Sequence, residues 1–482
     1  MLFLSFPQVV ISSANLTDVD WTMYMQNIWF QDFQAPSHSE ANSCQHFFPI
    51  GPQGKHYPLV SHTLSLHGPI TLVIFQRRLM DSTDFERYLR SLMNQWTVPI
   101  AVANDFLTPY DFTKANAILV ASCPGSYMNE GSMKEEPQTL LNLSEALHYF
   151  SVSQLHKYGH MRARAVRCIQ NLQIAKVIVE SFPELDEEEL ASLLSAILSP
   201  EDIGIQSSSL GSINQDFLLQ LYKSFNGISF DNDSTSAAIS TASGENYVRI
   251  LQNLMKAGER EAVGRLDKLS LDDEGTSPTR IIWPTEDFVV KSRYGWRGAG
   301  MVHFQGKFWN RAKPAPFPKG SLHSLELIQP AKTREEYTSS GSYVCAHSKV
   351  VFPQLSLPSL QPVAASSYAH TVRSWVYVGS ANCSAGAFGR NSKPKRSNQV
   401  KQFISNYELG VILPPMIYIE RNQESSSIRS VSRRDISGFN YRFHLLSQKY
   451  TRNDQPWITD RMQELQNAEM SFLQSALGDA LR

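Results

Sequence analysis

A chain of 482 residues is too long for one compact domain and has the length for two packed halves with sizeable cores. With 42% hydrophobic and 18% charged residues it reads as soluble and intracellular: no run has the apolar length of a membrane span, and Met1-Leu2-Phe3-Leu4 lacks the basic start of a signal peptide. A formal net charge of -1 makes any nucleic-acid contact local, and five cysteines (Cys44, Cys123, Cys168, Cys345, Cys383) without paired spacing argue against a disulfide framework and give no basis for a metal.

In chain order, Phe6 to Ser13 reads as a strand, Thr17 to Trp21 as a turn or short helix with its acids first, and Asn27 to Phe30 as a second strand. Residues 35–59 are loop. From Asp84 to Trp96 an apolar stripe of Phe85, Tyr88, Leu89, Leu92 and Met93 predicts a helix packed on a sheet, and Ala117 to Ser122 predicts a buried strand entering a turn at Cys123-Pro124-Gly125. A helix opening at Gly159 carries Arg162, Arg164 and Arg167 on a basic side, open to phosphates or simply solvated. Pro183 to Leu198 predicts an acidic amphipathic helix facing solvent. Ser207 to Ser212 reads as the entry of the helix carrying Phe217, Leu218, Leu221 and Tyr222, where hydroxyls and free N–H groups could hold a phosphate or merely cap. Two polar stretches, 230–245 and 271–279, read as mobile insertions around a helix from Tyr247 to Lys268. Arg280 to Pro284 is a strand stopped by proline, Thr285 opens a capped helix, and Arg297 to Gly300 is a flexible turn.

The stretch richest in chemistry is His347-Ser348-Lys349 together with Val376-Tyr377-Val378-Gly379-Ser380-Ala381-Asn382. Side chains two apart on an extended segment share a face, so an imidazole and an ammonium can meet there, and the second strand delivers a carboxamide at its tip. Such a trio suits a phosphate: charge from Lys349, a donor from Asn382, a proton from His347. Each residue alone is commonplace on an exposed strand or turn. The pattern gains weight because it recurs: Val9 to Asn15 aligns without a gap on Val376 to Asn382, sharing Val and Ser-Ala-Asn, with an aromatic six residues later at Trp21 and Phe388.

This duplicated His-x-Lys and Ser-x-Asn pattern resembles the phospholipase D superfamily, and its surroundings resemble the tyrosyl-DNA phosphodiesterase branch. The matching pieces are Ser13-Ala14-Asn15-Leu16 with Asp20-Trp21, Gln26 and Ile28-Trp29; Ser122-Cys123-Pro124-Gly125; Gly159-His160; Gln206 to Ser212; Ser380-Ala381-Asn382 with Ser384; Tyr407-Glu408-Leu409-Gly410-Val411; and Asp454-Gln455-Pro456-Trp457. They fall in the family's order along almost the whole chain. The resemblance implies an α/β fold of two phospholipase D-like halves, with mixed sheets flanked by helices around a pseudo-two-fold active-site cleft. The expected divisions are residues 1–225, a mobile insertion at 226–280, and 281–482.

By the same resemblance, His347 is the general acid and base, Lys349, Asn382, Asn15 and Gln26 hold phosphoryl oxygens without a metal or other cofactor, and Glu408 accepts a hydrogen bond from His347 and orients it. Ser208, Ser209, Ser212 and Ser384 would touch the DNA backbone. The implied protein is a nuclear, monomeric DNA-repair hydrolase with no membrane association, acting on a single-stranded or broken DNA 3′ end that carries a tyrosyl peptide adduct. Arg390, Lys393, Lys395, Arg396 and Lys401 form a basic run that suits nucleic acid, nuclear import or a solvated loop. One departure is that Met1 to Ala14 hold neither His nor Lys, so the family's first His-x-Lys, with its nucleophilic histidine, is not matched. Either the upstream part lies outside this sequence or the chain is an inactive relative, and a non-catalytic DNA 3′-end binding protein is the alternative. A lipid-cleaving phospholipase D fits less well, because Lys349 is followed by Val350-Val351-Phe352-Pro353-Gln354 rather than by the motif's Asp. At the C-terminal end Thr459 stands where a second Trp is expected, which weakens a stacking role for Trp457.

Overall fold

The computed structural model describes residues 8–13, 28–33, 71–74, 83–112, 115, 117–129, 157–228, 246–268, 277–312, 315–324, 345–353, 368–373, 375–392, 400–421 and 448–480. The strands in chain order are β1 (Gln8–Ser12), β2 (Ile28–Asp32), β3 (Thr71–Ile74), β4 (Ile118–Ser122), β5 (Gly125–Asn129), β6 (Ile203–Gln206), β7 (Ser209–Leu210), β8 (Thr279–Ile282), β9 (His303–Phe304), β10 (Leu322–Ser324), β11 (Val350–Pro353), β12 (Tyr368–Arg373), β13 (Val376–Gly379), β14 (Arg390–Ser392), β15 (Val400–Ile404), β16 (Glu408–Leu413), β17 (Met416–Arg421) and β18 (Gln448–Lys449). The α-helices are α1 (Thr83–Gln95), α2 (Ile100–Leu107), α3 (Gly159–Ser181), α4 (Glu187–Leu198), α5 (Gln215–Asn226), α6 (Asn246–Asp267), α7 (Glu286–Lys291), α8 (Gly306–Trp309), α9 (Ala385–Phe388) and α10 (Thr459–Ala480).

The centre is a mixed eight-stranded sheet in the order β18-β10-β8-β6-β11-β13-β16-β4, parallel between β10, β8 and β6 and antiparallel elsewhere. Its strands come from both sides of the 226–280 segment. Apolar runs form β4, β11, β13 and most of β16, because both faces of the sheet are covered there. Ile118 and Val120, Val351, Tyr377 and Ile412 belong to the larger core with α3, α4, α5 and α6; Leu119 and Ala121, Val350, Val376, Val378 and Val411 face a second core with Phe85, Tyr88 and Leu92 of α1, Ile11 of β1 and Phe33. The expected α/β layering is therefore present, with the alternation of each strand divided between two helical layers.

Several sequence readings need correction. Two of the three arginines expected on the basic side of α3, Arg162 and Arg167, are buried rather than solvated or open to phosphate, while Arg164 is half-buried. Arg162 donates from Nε to Leu119 O at 3.2 Å and lies 4.0 Å from the Tyr88 ring centroid, while the Tyr88 hydroxyl takes the Ala121 N–H. Together they satisfy backbone groups on the edge of β4 that no described strand pairs. Arg167 donates to Phe225 O at 3.0 Å and to Gln170 Oε1 at 2.8 Å, under the Trp375 ring.

The acidic helix α4 starts only at Glu187, where Asp186 and Glu189 form a reciprocal capping box; Leu190, Leu193, Leu194 and Leu198 are buried, and the acids stay outside. The helix expected from Tyr247 to Lys268 is present as α6, and it is packed into the larger core through Tyr247, Val248, Ile250, Leu251 and Met255 although the 226–280 segment reads in sequence as a mobile insertion; residues 229–245 and 269–276 lie outside the described residues. Of residues Arg297 to Gly300, read as a flexible turn, the first three close the 3-10 helix Gly295–Ala299 and Gly300 is its C-cap. Trp457 is a core residue whose carbonyl accepts from Trp283 Nε1 at 2.9 Å. Among the described residues no helix is long and apolar enough to cross a membrane, and no group of three or more His, Cys, Asp or Glu could hold a metal.

Two stability outcomes follow. Gly379 and Gly410 face each other across β13 and β16, and a Cβ on Gly410 would sit 2.5 Å from the Tyr377 hydroxyl. Gly410→Ala should cost ~1–3 kcal/mol of unfolding free energy, read from urea midpoints, because the buried Tyr377 ring cannot move aside cheaply. His160 is buried with Nδ1 2.8 Å from Ser224 Oγ; burial, and then the Arg164 charge, push its pKa from 6.5 down to about 3. The unfolded chain binds that proton near its ordinary pKa and the folded chain does not, so stability present above about pH 6.5 is lost as pH falls towards 3. His160→Gln should lose less stability than the wild type between neutral pH and about pH 4 in denaturation curves measured side by side.

Candidate active site

Strand register brings the candidate residues together. Gln206 of β6 stands opposite Val350 of β11, Val350 opposite Val378 of β13, and Val378 opposite Val411 of β16. Beyond that row, at one end of the sheet, lie Ser207 and Ser208 leaving β6, His347 and Lys349 entering β11, Ser380 to Asn382 leaving β13, and Glu408 opening β16. The Gly379 N–H to Lys349 O bond, 3.2 Å, ties the second and third of these segments.

His347 and Lys349 are both buried. Lys349 Nζ lies 2.8 Å from His347 Nε2 and donates to His347 O at 2.7 Å and to Ser13 O at 2.9 Å. An ammonium has only donors, so Nε2 accepts, and the neutral ring carries its proton on Nδ1. The bond to Ser13 brings the end of β1 to the site. Asn15 and Gln26 lie outside the described residues.

Asn382 is oriented by hydroxyls. Ser208 donates to its Oδ1 at 3.1 Å, and the Ser207 hydroxyl, whose one proton is shared between Oδ1 at 3.2 Å and Ser209 O at 2.8 Å, also accepts the Cys383 N–H at 2.9 Å. With the oxygen held by these hydroxyls, Nδ2 is the end left to donate to a ligand. The serine run is therefore not a helix entry as expected: Ser209-Leu210 is the short strand β7 beside β9, and α5 begins at Gln215 under an Asn214 cap. The run comes to the site through a strand turn, and Ser207, passed over in the sequence reading, makes more contacts there than its neighbours. A hydroxyl directly after a strand-ending Gln206 was the available signal.

The other expected backbone contacts are distributed differently. Ser208 is buried against Asn382. Ser209 is in β7, the exposed Ser212 hydroxyl is taken by Arg311 Nη1, and Ser384 caps α9 by accepting the Ala387 N–H at 3.2 Å. Gly211 passes so close to Ser384 that a Cβ would come within 2.8 Å of the serine Cβ. Arg390 and Lys401 stand on β14 and β15; Lys393, Lys395 and Arg396 lie outside the described residues.

Glu408 differs from expectation. Among the described residues its carboxylate is bonded not to His347 but to Ser380 Oγ at 2.6 Å and Asn406 Nδ2 at 3.1 Å. Burial raises its pKa against the lowering effect of those two hydrogen bonds and of the Lys349 charge. It thus braces the turn that carries Asn382. Cys345 and Cys383 flank the site as buried small groups, their thiols pushed up by burial to about 11 and about 12, out of the range of a reactive thiolate.

Comparison with known proteins gives three results. The family model of the tyrosyl-DNA phosphodiesterases matches residues 76–455. A solved structure of a yeast tyrosyl-DNA phosphodiesterase mutant is 15% identical with a TM-score of 0.39, over 85% of this chain and 65% of that one, so the chain spans about 65% of the yeast chain, and a likeness this weak carries no argument. No curated protein sequence matches. Because the family model spans well over half of the 482 residues, this chain belongs to the tyrosyl-DNA phosphodiesterase family.

Proposed function

We propose that the chain is a phosphodiester hydrolase of the tyrosyl-DNA phosphodiesterase type, acting in the nucleus on 3′-phosphotyrosyl and other blocked DNA 3′ ends during repair. The observation that carries the reading is that the Lys349 ammonium against His347 Nε2, and an Asn382 carboxamide held through its oxygen, lie at the same end of the sheet. An anion entering there takes a hydrogen bond from Lys349 and another from Asn382 Nδ2, each to a charged oxygen and so stronger than a neutral one. As Lys349 turns to the phosphoryl oxygen, His347 Nε2 is released to move a proton. Once protonated at Nε2 from solvent, it can give that proton to the departing tyrosyl oxygen and, in the second step, take one back from water. The attacking group by family resemblance is a second histidine. The site described here supplies the anion grip and the acid/base group. A chain with that grip alone would bind the DNA 3′ end without cleaving it, which is the alternative reading.

The test is cleavage of a single-stranded oligonucleotide carrying a 3′-phosphotyrosine, with chelator present. Turnover should fall by ~10²–10⁴-fold in His347→Ala while binding of a 3′-phosphorylated product changes little. Lys349→Met should weaken that binding by ~10- to 100-fold, the worth of a hydrogen bond to a charged group. Binding that depends on the 3′ phosphate, with no turnover in the wild type, would establish the binding reading instead. Equal affinity for 3′-phosphate and 3′-hydroxyl ends would refute both.

A further inference from the structure

A second face, joined to this site but not part of it, lies on the antiparallel sheet β14-β15-β5. Along β15 the side chains alternate: Gln402 and Ile404 are buried, Lys401 and Phe403 exposed, and Phe403 leaves 59% of its surface in solvent. Register places Arg390 and Ser126 on either side of Phe403 and Ser392 opposite Lys401, so Arg390, Phe403, Ser126, Ser392 and Lys401 share the outer face. Gln402 fixes the inner face by donating to Tyr158 O and Phe388 O at 3.3 and 3.4 Å. Tyr407, 65% exposed, follows in the turn before Glu408.

One exposed phenyl ring is ordinary on a protein surface. Here the surrounding charge points to an occupant. From Tyr337 to Tyr407 the sequence has seven of the chain's 44 Lys and Arg and none of its 45 Asp and Glu. The three strands contain no acid, and neither Arg390 nor Lys401 has an ion-pair partner among the described residues. Among the described residues of this face, Arg390 and Lys401 are thus two exposed cations beside an aromatic ring, with no acid on the same strands. Both ends of the hairpin are rooted in the active site. β14 leaves α9, which Ser384 caps two residues after Asn382; β15 leads through Asn406, which holds Glu408. From Phe403 to Glu408 the chain reaches at most ~18 Å, the span of a few nucleotides.

We propose that this face binds the single-stranded segment of nucleic acid adjoining the 3′ end held at the active site. Phe403 stacks on an unpaired base, and Arg390 and Lys401 meet phosphates on either side. The proposal rests on the reading of the main site as a DNA 3′-end site. A duplex offers no free base face to Phe403, and an apolar peptide gains nothing from two unpaired cations, so a single strand fits both features at once.

The experiment measures binding of the full chain to fluorescent oligothymidylates of two and about ten nucleotides, each with a 3′-phosphate or a 3′-hydroxyl, across a salt series. The longer strand should bind more tightly. Phe403→Ala should weaken it by ~5- to 100-fold, the range found for losing one base stack, and leave the dinucleotide unaffected. Arg390→Ala with Lys401→Ala should reduce the salt slope of the longer strand by about 1.4, two phosphates at ~0.7 each. All three side chains are exposed, and circular dichroism checks that the variants fold. If the 3′ phosphate matters but length and Phe403 do not, the face is refuted and the active-site reading stands. If length and Phe403 matter but the 3′ phosphate does not, the active-site reading fails and the strand is held elsewhere. Capture by anionic lipid vesicles that depends on the same residues, without oligonucleotide binding, would overturn the proposal in favour of a membrane surface.

Discussion

The active site depends on the register of four neighbouring strands, β6, β11, β13 and β16. Each contributes one functional segment, and only at the end where Gln206, Val350, Val378 and Val411 line up do those segments meet. A slip of one residue in β13 would turn Val378 from the second core to the first and move Asn382 off the serine hydroxyls. The close approach of Gly379 to Gly410 supports this register: with no Cβ on either residue, the Tyr377 ring fits beneath both glycines, and burial pushes its hydroxyl pKa up. Packing in the first core thus sets where the Asn382 carboxamide stands outside it.

Charge inside the protein is handled by giving each cation definite acceptors. Arg162 has a carbonyl and a ring face, Arg167 a carbonyl, an amide oxygen and a ring face, and Lys349 two carbonyls and an imidazole. None of these acceptors carries a full negative charge. A buried cation among neutral dipoles costs desolvation that dipoles offset only in part, whereas an entering anion offsets it by direct attraction. Arg167 and Lys349 each also have a carboxylate acting on them beyond hydrogen-bond range, Glu201 and Glu408 respectively.

The fold class and most elements could be read from apolar periodicity: α1 falls within a residue of its expected bounds, and β1, β4, β13 and β16 fall where their runs are. The meeting of His347 with Lys349 was readable for the same reason, since a spacing of two fixes the face. Sequence could not show which charges are inside. Three arginines on one helix suggest a solvated or phosphate-facing side until their neighbours are known: the carbonyls of Leu119 and Phe225, which accept from Arg162 and Arg167, and the Tyr88 ring under Arg162, are 43 to 74 residues away from them. The serine run failed for a related reason. Hydroxyls before an apolar helix stripe imply a cap, but the cap is Asn214, and the hydroxyls serve a carboxamide 174 and 175 residues further on.

Glu408 is the first acid after the long acid-free stretch, and it stands beside a site suited to anions. A bare carboxylate there would repel a phosphoryl group, so its environment matters more than its identity. Ser380 and Asn406 each donate to one of its oxygens, and Lys349 is the charge that acts on it, while burial raises its pKa. Ser380 Oγ also accepts the Leu409 N–H at 3.0 Å, so one hydroxyl joins the end of β13, the start of β16 and the carboxylate. Glu408 acts through the backbone that carries Asn382: it fixes the turn, and the two serines then fix the amide. The imidazole is set by its own neighbour Lys349, which leaves the proton-carrying group and the oxygen-binding group positioned by separate sets of bonds at the same sheet end.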